Sequence, residues 1–255
     1  MELTTITYEE DGPIGRITLD RPDDGNMFNL QMCRELKAVL EETRLETRTK
    51  VLVLTGAGDR FFCIGGSKDG LEPTRSYPGV LPILDVYDLI ERHQKPIVAS
   101  VNGYAVGGGN VLHVICDLTI AKESAVFRQV GPIMGSFDAG YGTWNLEDLV
   151  GRKRAKEMWY LNEKIPARQA LEWGLINRVV PDDRLREETD RLAHEIAQRG
   201  DIALASVKGS FGARTSGVSG FSRVAHDLLL RHYLETDESK GLRESFNRPR
   251  TSHGA

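Results

Sequence analysis

The chain has 255 residues, with 33 Lys plus Arg against 37 Asp plus Glu and a formal net charge of -4 at pH 7. That length allows one large domain, or a domain with an appendage, and the mixture of 40% hydrophobic and 27% charged residues excludes a disordered or membrane-embedded chain. The mild acidity and the lack of a long basic run argue against general nucleic-acid affinity, and no apolar run is long enough to cross a bilayer. Cys33, Cys63 and Cys116 stand far apart with no CxxC pair, which points to a reducing cytoplasm and away from a disulfide framework or a zinc site.

In chain order, Thr4 to Tyr8 and Arg16 to Leu19 flank the turn Asp11-Gly-Pro-Ile-Gly15 and predict a hairpin ended by Asp20-Arg-Pro22. Met32, Leu36, Val39 and Leu40 share one helical face and predict a helix from Leu30 to Glu46. Lys50 to Gly56 is a β-branched run typical of a buried parallel strand. Gly65 to Pro82 has no periodicity and reads as a long loop, a common setting for lids and binding elements. A helix over Pro82 to His93, a strand over Ile97 to Val101, a glycine-opened helix and a strand over Leu118 to Ala121 follow. This alternation predicts an α/β fold with parallel crossover units. After Pro181 the pattern turns helical, over Leu185 to Gln198, Ala203 to Phe211 and Ser219 to Thr236. The chain thus divides into a core of residues 1–184 and a C-terminal helical region of residues 185–255.

The segment Val98-Ala-Ser-Val-Asn-Gly-Tyr-Ala-Val-Gly-Gly-Gly-Asn-Val-Leu-His113 carries the chemistry, because a strand runs into three glycines that open a helix. The first N–H groups of a helix have no intrahelical partner, so Gly107, Gly108 and Gly109 are candidate anion donors; tight strand–helix packing explains them equally well. A second bare turn, Phe61-Phe-Cys-Ile-Gly-Gly-Ser67, follows the strand at Val51 to Thr55. Two such turns could supply two donors to one oxygen, as an oxyanion hole requires.

These blocks, together with Ile17-Thr-Leu-Asp-Arg-Pro22, Val53-Leu-Thr-Gly-Ala-Gly58, Gln129 to Gly142 and Ala167 to Val180, occur in family order, and the chain resembles the enoyl-CoA hydratase/isomerase (crotonase) superfamily over nearly its whole length. The resemblance implies a spiral of repeated ββα units, a helical C-terminal region used in trimerisation, and assembly as a trimer or hexamer. It also implies an acyl-CoA substrate whose thioester oxygen is held by the N–H groups of Gly66 and Gly108, with Asn26 and Lys68 as CoA contacts. Hydratases of this superfamily use two glutamates; their places hold Val111 and Gly131, which disfavours simple hydration.

The segment Gln129-Val-Gly-Pro-Ile-Met-Gly-Ser-Phe-Asp-Ala-Gly-Tyr-Gly142 is similar to the 1,4-dihydroxy-2-naphthoyl-CoA synthase branch. That similarity implies a Dieckmann/Claisen-type ring closure through a thioester enolate, with Ser136, Asp138, Tyr233 and Tyr77 at the reacting end of the substrate. It further implies bicarbonate bound by Gln129, Gly131 and Trp159, although Val130 replaces a threonine of that set. Val130 and Gly109-Asn-Val-Leu112 are instead similar to 2-ketocyclohexanecarboxyl-CoA hydrolases, which open a cyclic β-keto acyl-CoA with water. Read without the resemblance, Asp138 is a helix N-cap, Ser136 a turn residue, and Tyr233, His113 and Trp159 are packing residues. A different class of function is a non-catalytic acyl-CoA-binding or RNA-binding homologue.

Overall fold

In a computed structural model, described over residues 2–67, 82–136, 140–213, 217 and 236–247, two sheets and a helical layer enclose one main core. The N-terminal hairpin forms as expected: β1 (Ile6–Asp11) pairs antiparallel with β2 (Ile14–Leu19). After α1 (Leu30–Leu45) come β3 (Val51–Gly56) and the short β4 (Phe61–Cys63), then α2 (Pro82–Arg92). The same long-strand, short-strand, helix unit repeats as β5 (Ile97–Val101), β6 (Tyr104–Val106) and α3 (Gly108–Val114). It repeats again as β7 (Leu118–Lys122), β8 (Val126–Arg128) and α4 (Tyr141–Val150). The long strands build a six-stranded sheet in the order β1-β2-β3-β5-β7-β10, and the short ones a four-stranded sheet β4-β6-β8-β9. This is the ββα spiral.

The chain continues through α5 (Arg152–Leu161), β9 (Ile165–Pro166), α6 (Ala167–Glu172), β10 (Arg178–Val180) and α7 (Leu185–Ala197). A helix over 201–213 (α8) and α9 (Asp237–Asn247) complete the described elements. Most of the helix expected over Ser219 to Thr236 lies outside the described residues.

Val51 to Leu54 of β3 are continuously apolar because both faces of the sheet are covered. Leu52 and Leu54 face the main core with α1 and α2, whereas Val51 and Val53 meet Leu185, Leu192 and Ala193 of α7 on the other side. All three cysteines are free, and burial pushes their thiols above the ordinary value.

One buried carboxylate ties the hairpin to α1. Glu35 is fully buried and accepts hydrogen bonds from Thr4 N and Oγ1 (3.0 and 2.8 Å), Thr5 N and Oγ1 (2.9 and 2.7 Å), Ile6 N (3.1 Å) and Gln31 Nε2 (2.8 Å). Burial alone would raise its pKa, but the donors from Thr5, Gln31 and Thr4 outweigh it and hold the carboxyl down at about 2. A depressed carboxyl pKa stabilises the fold above the unfolded value and loses that contribution as pH falls through the folded value. Denaturant midpoints should therefore drop by the equivalent of about 2 kcal/mol between about pH 5 and pH 2. Glu35→Gln should lower stability at pH 7 and flatten that acid limb; an unchanged limb would remove Glu35 as its cause.

Candidate active site

The site is built by register. β4 and β6 run parallel, with Phe61 opposite Tyr104 and Cys63 opposite Ala105. Two strands that start side by side and run the same way end side by side, so the turns at Gly65-Gly66 and Gly107-Gly108 become neighbours. Asn102 locks the other end of these strands: its Nδ2 donates to Gly56 O and Gly58 O (both 2.8 Å) and its Oδ1 accepts from Gly56 N (3.2 Å).

The glycines divide into a buried pair and a reachable pair. Gly65 and Gly109 are buried; Gly66 is exposed and Gly108 half-buried. A Cβ on Gly65 would sit 3.4 Å from Gly108 N, which measures how closely the turns abut. Phe28 bridges to Gly66 in parallel fashion, using Gly65 O (3.0 Å) and Ser67 N (2.9 Å). That pattern leaves the N–H of Gly66 itself pointing away from Phe28. The N–H of Gly108, the first residue of α3, is one of the helix's unpaired donors. Gly107 can lead into this turn because it adopts φ +56, a left-handed conformation that costs a glycine little. Two N–H groups on adjoining turns can therefore converge on one oxygen.

Other expected residues separate into three groups. Ser136 is exposed, with its N–H bonded to Gly131 O at 2.8 Å. Asp138, Tyr77, Tyr233 and Lys68 lie outside the described residues. Asn26 needs correction as a CoA contact. It is fully buried at φ +53, its Nδ2 donates to Ala57 O (3.0 Å) and Phe61 O (2.8 Å), and its Oδ1 accepts from Arg21 N (2.9 Å). Its side chain holds the β3–β4 turn and is not presented to a ligand.

The bicarbonate set also needs correction. Trp159 Nε1 donates to Gly142 O at 2.9 Å, so that donor is already used, and Val130 has no hydroxyl. Gln129 is buried, and among the described residues neither amide atom of its side chain has a hydrogen-bond partner. One orphaned carboxamide beside half-buried Gly131 does not make a bicarbonate cradle.

His113 is the packing residue that its position predicts. It is buried, contacts Asn110 Oδ1 (3.1 Å) and Thr119 Oγ1 (3.3 Å), and burial holds its imidazole down at about 3. Sealed inside the core while Ser136 is exposed, it cannot serve a serine triad. At the two hydratase positions, Val111 is buried in the main core and Gly131 has no side chain.

A sequence profile of the enoyl-CoA hydratase/isomerase family matches residues 9–251. The chain belongs to that family. As an enoyl-CoA hydratase/isomerase family member it is an enzyme of acyl-CoA thioesters. Its fold is similar to an enoyl-CoA hydratase from Bacillus anthracis at TM-score 0.78 and 29% identity, covering 95% of this chain and 96% of that one. An enoyl-CoA hydratase subunit I from Geobacillus kaustophilus HTA426 gives 0.78 and 30% over the full length of both chains. A monofunctional enoyl-CoA isomerase from M. smegmatis gives 0.72 and 26%, over 85% of this chain and 97% of that one.

Two residues that sequence reasoning missed frame the donors of this family member. An ideal Cβ on Gly108 would lie 2.6 Å from Phe28 Cζ and 3.0 Å from Tyr87 Oη, and one on Gly66 would lie 2.9 Å from Phe28 Cε2. Phe28 follows Asn26 without any periodic signal, and Tyr87 sits in an amphipathic helix where an aromatic reads as core.

Proposed function

We propose that this enzyme stabilises a thioester enolate for carbon–carbon bond formation, closing a ring in a Dieckmann/Claisen-type condensation as 1,4-dihydroxy-2-naphthoyl-CoA synthases do. The reading is carried by one juxtaposition: two reachable N–H donors on adjoining turns, with Val111 and Gly131 where hydratases place carboxylates. Such a site can hold an oxyanion, but those two positions cannot activate water. A base removes the proton α to the thioester, Gly66 and Gly108 hold the developing oxyanion, and the carbanion attacks a second carbonyl of the same substrate. Preorganised donors bind that anion better than the neutral carbonyl, and each is worth roughly 3 kcal/mol of transition-state stabilisation. By resemblance, Asp138 transfers the proton, Ser136 and Tyr233 orient the acceptor, Tyr77 lies nearby and Lys68 contacts CoA.

The same machinery run in reverse opens a cyclic β-keto acyl-CoA with water, and the apolar Val130 favours that second reading. A trimer or hexamer in the cytoplasm completes the proposal; exposed Trp144, Tyr160, Leu161 and Phe211 are apolar surface that such an assembly would cover. Among the described residues no helix is long and apolar enough to cross a membrane.

Product masses separate these readings. Incubation with o-succinylbenzoyl-CoA should yield the product of ring closure, lighter by one water. A cyclic β-keto acyl-CoA heavier by one water would instead support ring opening. Hydration of crotonyl-CoA with neither of the other two reactions would overturn both.

A further inference from the structure

We infer that Phe28 and Tyr87 are positioning residues that set the spacing and aim of the two oxyanion donors, a proposal that rests on the oxyanion reading of Gly66 and Gly108. Phe28 holds the first donor through its main chain, bonding to Gly65 O and Ser67 N on either side of Gly66. Its half-buried ring then lies against the Cα faces of both Gly66 and Gly108, at 2.9 and 2.6 Å from where a Cβ would be. One rigid aromatic therefore touches both donors and acts as the spacer between them.

Tyr87 fixes the second donor. Its hydroxyl donates to Gly108 O at 3.1 Å, and its ring is buried in α2, edge-on to Tyr141 with centroids 5.5 Å apart. Glycine is the residue whose backbone most needs such restraint, since it has the widest φ/ψ freedom. Gly108 must remain glycine to admit the Phe28 ring, and the Tyr87 hydrogen bond restores the rigidity that the missing Cβ would have given. Donors held still before the reaction need no reorganisation when charge develops.

The test uses acetoacetyl-CoA, whose enolate has its own near-ultraviolet band, and reads the enolate-to-keto ratio of the bound probe across pH. CoA affinity is measured in parallel by calorimetry. The intact enzyme should raise the bound enolate fraction above that in free solution. Tyr87→Phe removes only a hydroxyl, and Phe28→Leu keeps an apolar side chain but not a flat ring. Tyr87→Phe should cut the enolate-to-keto ratio about fivefold, the scale of one net hydrogen bond, and Phe28→Leu should also lower it, while CoA affinity stays within about twofold for each. Variants that match the intact enzyme in this ratio would overturn the positioning role while leaving the oxyanion hole standing. A parallel loss of CoA affinity would also overturn it, as a general packing defect. No rise in enolate with the intact enzyme would overturn the oxyanion reading itself, and the positioning role with it.

Discussion

Gly109→Ala should destabilise the protein by at least about 3 kcal/mol, a drop of roughly 10 °C in melting temperature for a chain of this size. A Cβ at that position would lie 1.9 Å from Cys63 O and 2.5 Å from Cys63 C. Those are main-chain atoms of β4, so no side-chain rotation relieves the clash. Either α3 or the small sheet must move by more than an ångström. Because α3 begins at Gly108 and β4 leads to Gly66, the movement separates the two donors, and activity should fall further than stability alone explains. Gly212→Ala is the control, since a Cβ there meets nothing within 4 Å. Thermal melts of the two variants decide the matter, and a Gly109→Ala protein melting within about 2 °C of the parent would contradict the close approach of α3 and β4.

Asp138→Asn should abolish turnover while leaving CoA-ester binding intact. A general acid–base group contributes about 10²- to 10⁴-fold in rate, and an amide of the same shape cannot accept or release that proton. The expected pattern is a fall in kcat of at least about a hundredfold with a thioester Kd within twofold, measured by single-turnover mass analysis and calorimetry. Unchanged turnover would remove Asp138 from proton transfer. It would not leave the helix-capping role that the sequence position suggests, because the N-cap of α4 is Gly140.

Much of the fold was legible because burial writes itself into long elements. β5 spans Ile97–Val101, as expected from its sequence, and α1 differs by one residue at its end. The four-stranded sheet was not readable from periodicity, since β4, β6 and β8 have three residues each and too few alternations to register. The site divides in the same way. Its glycines stand out as bare backbone at strand ends, a pattern that tight packing shares with anion binding, but their partners Phe28 and Tyr87 do not, because contact with both turns is a tertiary fact. Family resemblance places Asn26 near CoA, whereas an asparagine at positive φ, hydrogen-bonded on both sides of its amide, is a turn lock. The same resemblance implies an anion-binding role for Trp159, whose indole N–H is instead committed to Gly142 O.

That Gly66 and Gly108 share one thioester oxygen is tested most directly by a crystal structure with a non-hydrolysable thioester analogue bound. The carbonyl oxygen should lie about 2.7–3.1 Å from both nitrogens. An oxygen bound by only one of them, or directed away from both, would contradict the oxyanion hole on which the proposed chemistry depends.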